Sequence, residues 1–273
     1  MIDIDGLFKA TLLEKLRAGE DPAKLEEDMP ELLLEWLDKP NPATGGVSPN
    51  AYFYDMGTER LADELCAYVS AGKEPPDPLL NALEDAPDSE VPLFELLCGK
   101  RGAFSNPDRA LKAKCAAAEL LNQKGSALPV EAYLEIVKHP TPDTGLNEAA
   151  ATGLLAMGEA VREQLLSALK GASDDAADCL LDVLTELPER DERVFDHLVK
   201  HFKAREERRA FFAALFARYG DPKALPVLEA ALPFAGYVDY CALRDAIEAL
   251  GGAVLEQRDF SGDPDYEKLK QQR

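Results

Sequence analysis

Few of the residues that usually signal chemistry occur here. Among 273 residues there are three histidines and one tryptophan. The five cysteines (Cys66, Cys98, Cys115, Cys179, Cys241) form no Cys-x-x-Cys pair. An odd, dispersed set argues against a disulfide framework and against a zinc site. Most of them sit among Ala and Leu, where a free thiol acts as a small core residue. No apolar run approaches the roughly 20 residues that a membrane-spanning helix needs. Glycine-rich phosphate loops and a Gly-x-Ser-x-Gly elbow are also missing. Sustained period-two alternation is absent, so strands are not expected. Basic residues are in deficit, 30 against 51 acids, for a net charge of −21. Proteins that grip a nucleic-acid backbone need a basic footprint, so DNA and RNA are not expected partners. Asp3 and Asp5 stand where a secretory signal carries bases, which points to a cytoplasmic location.

What the chain does have is globular composition, 46% hydrophobic and 30% charged, over a length that suits two domains or one extended array. Its acidity is uneven. Residues 1–100 hold 22 acids and 8 bases, residues 101–200 hold 17 and 11, and residues 201–273 hold 12 and 11. Net charge by itself favours solubility. A docking face for a basic partner requires in addition that the acids share a surface.

Helical periodicity punctuated by Pro and Gly runs through the whole sequence. Leu7, Leu12, Leu13 and Leu16 open a helix that stops near Gly19, and Asp21-Pro22 starts a second toward Leu37. A loop is expected over 39–57, then a helix from Thr58 to about Ser70. Pro76-Asp77-Pro78 opens a short helix that ends before Pro87.

From residue 89 the pattern repeats. Gly125, Gly158, Pro188, Gly220 and Gly251 are spaced by 33, 30, 32 and 31 residues. Glycine suits the left-handed position that ends a helix, and proline cannot continue one. Four residues before these anchors stand Leu121, Leu154, Leu184, Phe216 and Ile247. Eight before stand Ala117, Ala150, Leu180, Phe212 and Leu243, and nine before stand Ala116, Ala149, Cys179, Phe211 and Ala242. All fifteen are apolar, and their offsets predict one buried face. A second amphipathic segment comes after most anchors, as in Val194, Leu198 and Phe202. Helix pairs with a face too large to hide alone bury it by stacking, which predicts an α-solenoid.

The segment Asp221-Pro222-Lys223-Ala224-Leu225-Pro226-Val227-Leu228, followed by Arg244-Asp245-Ala246-Ile247-Glu248-Ala249-Leu250-Gly251, resembles a repeat of the short bacterial HEAT-like family. The other repeats have Ala118, Ala151, Leu181 and Ala213 where Arg244 stands. The resemblance implies an all-α fold, a right-handed α-α superhelix of stacked antiparallel helix pairs, and protein binding as the usual role. A tetratricopeptide array has a similar period, but its Trp/Gly/Tyr signature is missing. The expected organisation is an irregular helical cap over 1–88, HEAT-like repeats over 89–256 and a polar tail over 257–273.

Four features invite a functional reading. His197 and His201 lie four apart on a helix, a spacing that suits one metal, yet no third ligand stands at a recognisable distance. Ser167 and Lys170 fit a Ser-x-x-Lys pattern without its companion motifs. Lys200, Lys203, Arg205, Arg208 and Arg209 are interleaved with Glu206 and Glu207, as on an ordinary helix corner. The fourth is a column opposite the buried one, six and ten residues before the anchors, which carries Glu119, Glu148, Asp178, Asp182 and Asp245. Second helices usually line the concave side of HEAT-like stacks, so these acids are expected to share a groove for a basic protein or peptide. Apart from these, the 39–57 loop ends in Tyr52, Phe53 and Tyr54, not far from Trp36. Those aromatics suit a partner contact or a small-molecule or lyase-like site, or they pack over the first hairpin. A non-catalytic scaffold without cofactor or metal is the leading expectation, with a ligand-binding or enzymatic loop and a self-assembling module as alternatives.

Overall fold

The computed structural model describes residues 1–141, 144–255 and 258–271, and all regular structure among them is helical. The chain divides into two compact units, residues 1–132 with 143–149 and residues 133–142 with 150–273.

The first unit begins with α1 (Ile4–Arg17), capped by the Asp3 carboxylate, which accepts from Gly6 N–H. No single helix runs on toward Leu37. The segment breaks at Asp28 into α2 (Pro22–Glu27) and α3 (Met29–Leu37), because Pro30 has no N–H to continue the ladder. The 39–57 stretch is likewise more ordered than a long loop. Asn41 caps a 3-10 turn at Pro42–Thr44, and Ser48 caps the one-turn α4 (Pro49–Tyr52). Then come α5 (Thr58–Ala71), α6 (Asp77–Asp85), α7 (Glu90–Leu97) and α8 (Pro107–Gln123). Helix α8 packs on α5, α6 and α7, and α5 also packs on α7. Helices on both sides of residue 88 therefore share one core.

The division between units runs through α9 (Val130–Lys138) and α10 (Thr144–Met157). The second unit continues with α11 (Arg162–Ala168), α12 (Asp174–Glu186), α13 (Glu192–Ala204), α14 (Arg209–Tyr219), α15 (Leu225–Ala231), α16 (Tyr237–Ala249) and α17 (Pro264–Gln271). Within it α12 packs on α14 and α14 on α16, while α11, α13 and α15 each pack on the next helix in the chain.

Helices α8, α10, α12, α14 and α16 end within two residues of the five anchors. Gly125, Gly158, Gly220 and Gly251 have φ of +65°, +62°, +72° and +87°, a region that a Cβ disfavours. The columns four and eight residues before the anchors are buried throughout. The column nine before is not: Ala116, Cys179, Phe211 and Ala242 are only half-buried. Leu120, Gly153, Val183, Leu215 and Ala246, five before, are buried instead. At 3.6 residues per turn, positions four and five before lie about 40° and 60° from position eight, whereas position nine lies about 100° away.

The segment after α16 contains a further helix. Helix α17 packs on α16, and Phe260 and Tyr266 stack with Tyr237 at ring distances of 5.3 and 5.0 Å. Residues 256, 257, 272 and 273 of the expected repeat end and tail lie outside the described residues.

Candidate functional site

The acidic column does not form the open ladder its spacing suggests. Asp178, on α12, is buried, with 9% of its side chain exposed. Arg205 donates to it from Nη1 at 2.6 Å and from Nη2 at 3.1 Å, and Arg208 lies 2.8 Å away. Both arginines sit in the short corner between α13 and α14, where the guanidiniums also cover Phe212 and Phe211. Two of the five basic residues thus converge on one buried carboxylate, while Arg209 pairs with Glu206 at 2.7 Å. Asp182 is half-exposed and pairs with Arg218, which also holds Glu186 at 2.6 Å. Asp245 pairs with its neighbour Arg244 at 2.8 Å. Glu148 is exposed on α10.

The aromatic group also divides. Phe53 is fully buried and Trp36 nearly so, its ring 5.5 Å from that of Phe8. Tyr52 is half-buried against Phe53. Only Tyr54 is exposed, and it donates to the Asp85 carboxylate at 2.6 Å, an anion that raises the phenol's pKa. These rings close the core over the early helices.

Glu119 is the member of the column that lines a cavity. In the first unit a groove runs along α8 against residues 69–84, as two adjoining hollows of 460 and 480 Å³. The hollows share Glu74, Pro75, Ala116 and Glu119. The second is bounded by Glu74, Asp77, Glu84 and Glu119 around Leu80, with no basic residue in its wall. Asp77 and Glu84 are seven apart on α6, two turns on one face. Among the described residues, Lys112 reaches Glu74 at 3.5 Å, while Asp77, Glu84 and Glu119 form no ion pair. Across the other hollow the cations are engaged: Lys73 with Asp3 at 2.6 Å, and Arg109 with the Ser70 carbonyl. The groove therefore has one end lined by acids without an ion pair among the described residues, with the Lys124 ammonium nearby on the Glu84 and Ala86 carbonyls. Glu148, in the same unit, does not line it.

No known family model matches the chain, and neither a curated protein nor a solved structure does. Sequence reasoning missed Asp77 and Glu84, which precede the repeating pattern. The one signal that could have found them was the acid excess of residues 1–100.

His197 and His201 stack on each other with ring centroids 6.3 Å apart, and His201 lies 6.1 Å from Phe212. Among the described residues, no three His, Cys, Asp or Glu side chains are placed to hold a metal ion. Burial, and then the Lys200 charge, hold both imidazoles below the usual histidine pKa, with Asp196 and Asp174 opposing weakly. Both rings are thus easier to protonate unfolded than folded. Stability is complete above the ordinary histidine pKa of about 6.5 and falls as pH drops from there toward the folded values. The melting temperature should decline between pH 7 and 5, and His197→Gln/His201→Gln should flatten that decline. Equal slopes for both proteins would mean that the pair is neutral to folding. Ser167 and Lys170 are exposed at the end of α11.

Proposed function

We propose that this chain is a non-catalytic scaffold of HEAT-like repeats, a right-handed superhelix of antiparallel helix pairs, whose first unit binds a basic peptide in the α6–α8 groove. Five helix pairs, α7–α8 through α15–α16, accord with the repeat. In the second unit, polar ties recur near the repeat length: Arg193 with Glu163, Arg190 with the Gly220 carbonyl and Lys223 with Glu192, at separations of 30, 30 and 31 residues. Stacked copies of one hairpin produce that spacing.

The observation that carries the binding reading is the groove's unpaired charge. On α12 and α16, Asp178, Asp182 and Asp245 are matched by arginines. Among the described residues, Asp77, Glu84 and Glu119 around Leu80 have no ion-pair partner. Lysine or arginine side chains supply the missing charge while their methylene stems cover leucine.

A fluorescent Lys/Arg-rich peptide should therefore bind, and its affinity should fall steeply as salt rises. Asp77→Lys/Glu84→Lys/Glu119→Lys should weaken it at least a hundredfold with the circular dichroism spectrum unchanged. Glu148→Lys, outside the groove, should matter little. Binding indifferent to both salt and the triple change would refute the reading.

A further inference from the structure

Helix α16 ends the series α12–α14–α16, and its outward side is unlike those of its predecessors. Seven residues before the anchor, α12 and α14 have Leu181 and Ala213, both fully buried. Each of those helices has another second helix packed on it. At the same position α16 has Arg244, whose side chain is 42% exposed. Residues 258–271 lie over this side instead.

Their attachment uses four side chains, of which Tyr266 places its ring 5.0 Å from that of Tyr237. Arg258 donates to the Ala235 carbonyl at 2.7 Å and the Leu232 carbonyl at 3.3 Å. Phe260 packs its ring 5.3 Å from Tyr237 and 5.0 Å from Tyr240. Asp263 accepts from Tyr237 N–H at 3.0 Å. That bond stands in for a cap, because the residue before α16 is Gly236, which has no side chain to accept from the first turn. Cover is incomplete, however. A hollow of 660 Å³ remains between the segment and α16, reaching Cys241, Arg244 and Glu248. Phe260 is only half-buried and Arg258 is exposed. The segment thus fills the N-terminal half of the face and leaves the other half open.

We propose that residues 258–263 are a self-bound recognition segment, and that the α16 face is the docking site for a partner peptide with the same anchors: an arginine, an aromatic residue two positions on, and an aspartate three beyond that. The partner replaces the aromatic contact and the helix cap one for one. A longer partner gains further by filling the hollow beside Cys241 and Arg244. Because the chain's own segment is tethered, it competes at high effective concentration and holds the site closed.

The test uses the full chain and a fluorescent synthetic peptide of residues 258–271. Phe260→Ala/Asp263→Ala in the chain weakens the internal competitor, so this variant should bind the peptide at least tenfold more tightly than the native chain does. A peptide with alanine at the same two positions should bind neither protein. A variant that keeps native helical content yet does not bind the peptide, or binds both peptides alike, would overturn the proposal. If the variant loses its fold, hydrogen exchange on the native chain decides. The Tyr237 amide should exchange well before that of Phe216 if the segment releases by itself. Exchange of the two together would make it a permanent part of the core, and the proposal would fail.

Discussion

Asp178→Ala should destabilise the second unit by about 3–5 kcal/mol, the usual cost of removing one member of a buried ion pair. Arg205, 11% exposed, loses both carboxylate oxygens and keeps only its bond to the Asp174 carbonyl at 3.1 Å, and no other carboxylate lies as close. Arg208 is 43% exposed and can turn to water, so most of the penalty falls on Arg205. The same reasoning predicts a rescue. Asp178→Leu/Arg205→Met removes both charges and keeps apolar volume, and it should recover most of the loss, since well-packed apolar replacements of buried pairs are often neutral. Urea denaturation followed by circular dichroism measures both. A loss below about 1 kcal/mol for Asp178→Ala, the scale of a surface pair, would mean that water reaches the corner.

Phe216→Ala should cost a similar amount, about 3–5 kcal/mol, by a different mechanism. Phe216 is fully inaccessible on α14, a helix that packs on α12, α13 and α16. Its ring meets Phe202 and Phe195 edge-on at 5.6 and 6.0 Å. Truncation leaves a cavity that three packed helices cannot close without losing their other contacts. Phe216→Leu keeps more of the volume and should cost less. Equal costs for the two changes would show that edge geometry, not filled volume, sets the contribution.

The two substitutions differ in what sequence could foresee. Phe216 belongs to a column whose offset from Gly220 matches those of Leu154, Leu184 and Ile247 from their anchors, and all four are fully buried. Asp178 belonged to a less regular column, interrupted at Ala210 and Ala214, and was expected at a surface. Periodicity states which residues share a side of a helix. It does not state which sides a neighbouring helix covers. For Asp178 the deciding partners, Arg205 and Arg208, lie 27 and 30 residues away on another hairpin, and only packing brings them to it.

The same limit explains the groove and the rings. Asp77 and Glu119 are 42 residues apart, on helices that belong to no common motif, and they line one wall because α6 packs on α8. Sequence left Trp36 and Phe53 open as anchors for a partner or as packing over the first hairpin. Burial chose the core, since large rings contribute most where water is excluded.

Sequence by itself determined the helical class, the ends of the second helices from α8 to α16 and the central residues of their inward faces. Each of these arises from local constraints: left-handed φ at glycine, the missing N–H of proline, and 3.6 residues per turn. Tertiary structure alone decided which carboxylates are neutralised and which stand open, which rings are core, and that residues 258–271 fold back onto α16. Those outcomes depend on distances between side chains on different helices, which local periodicity does not encode.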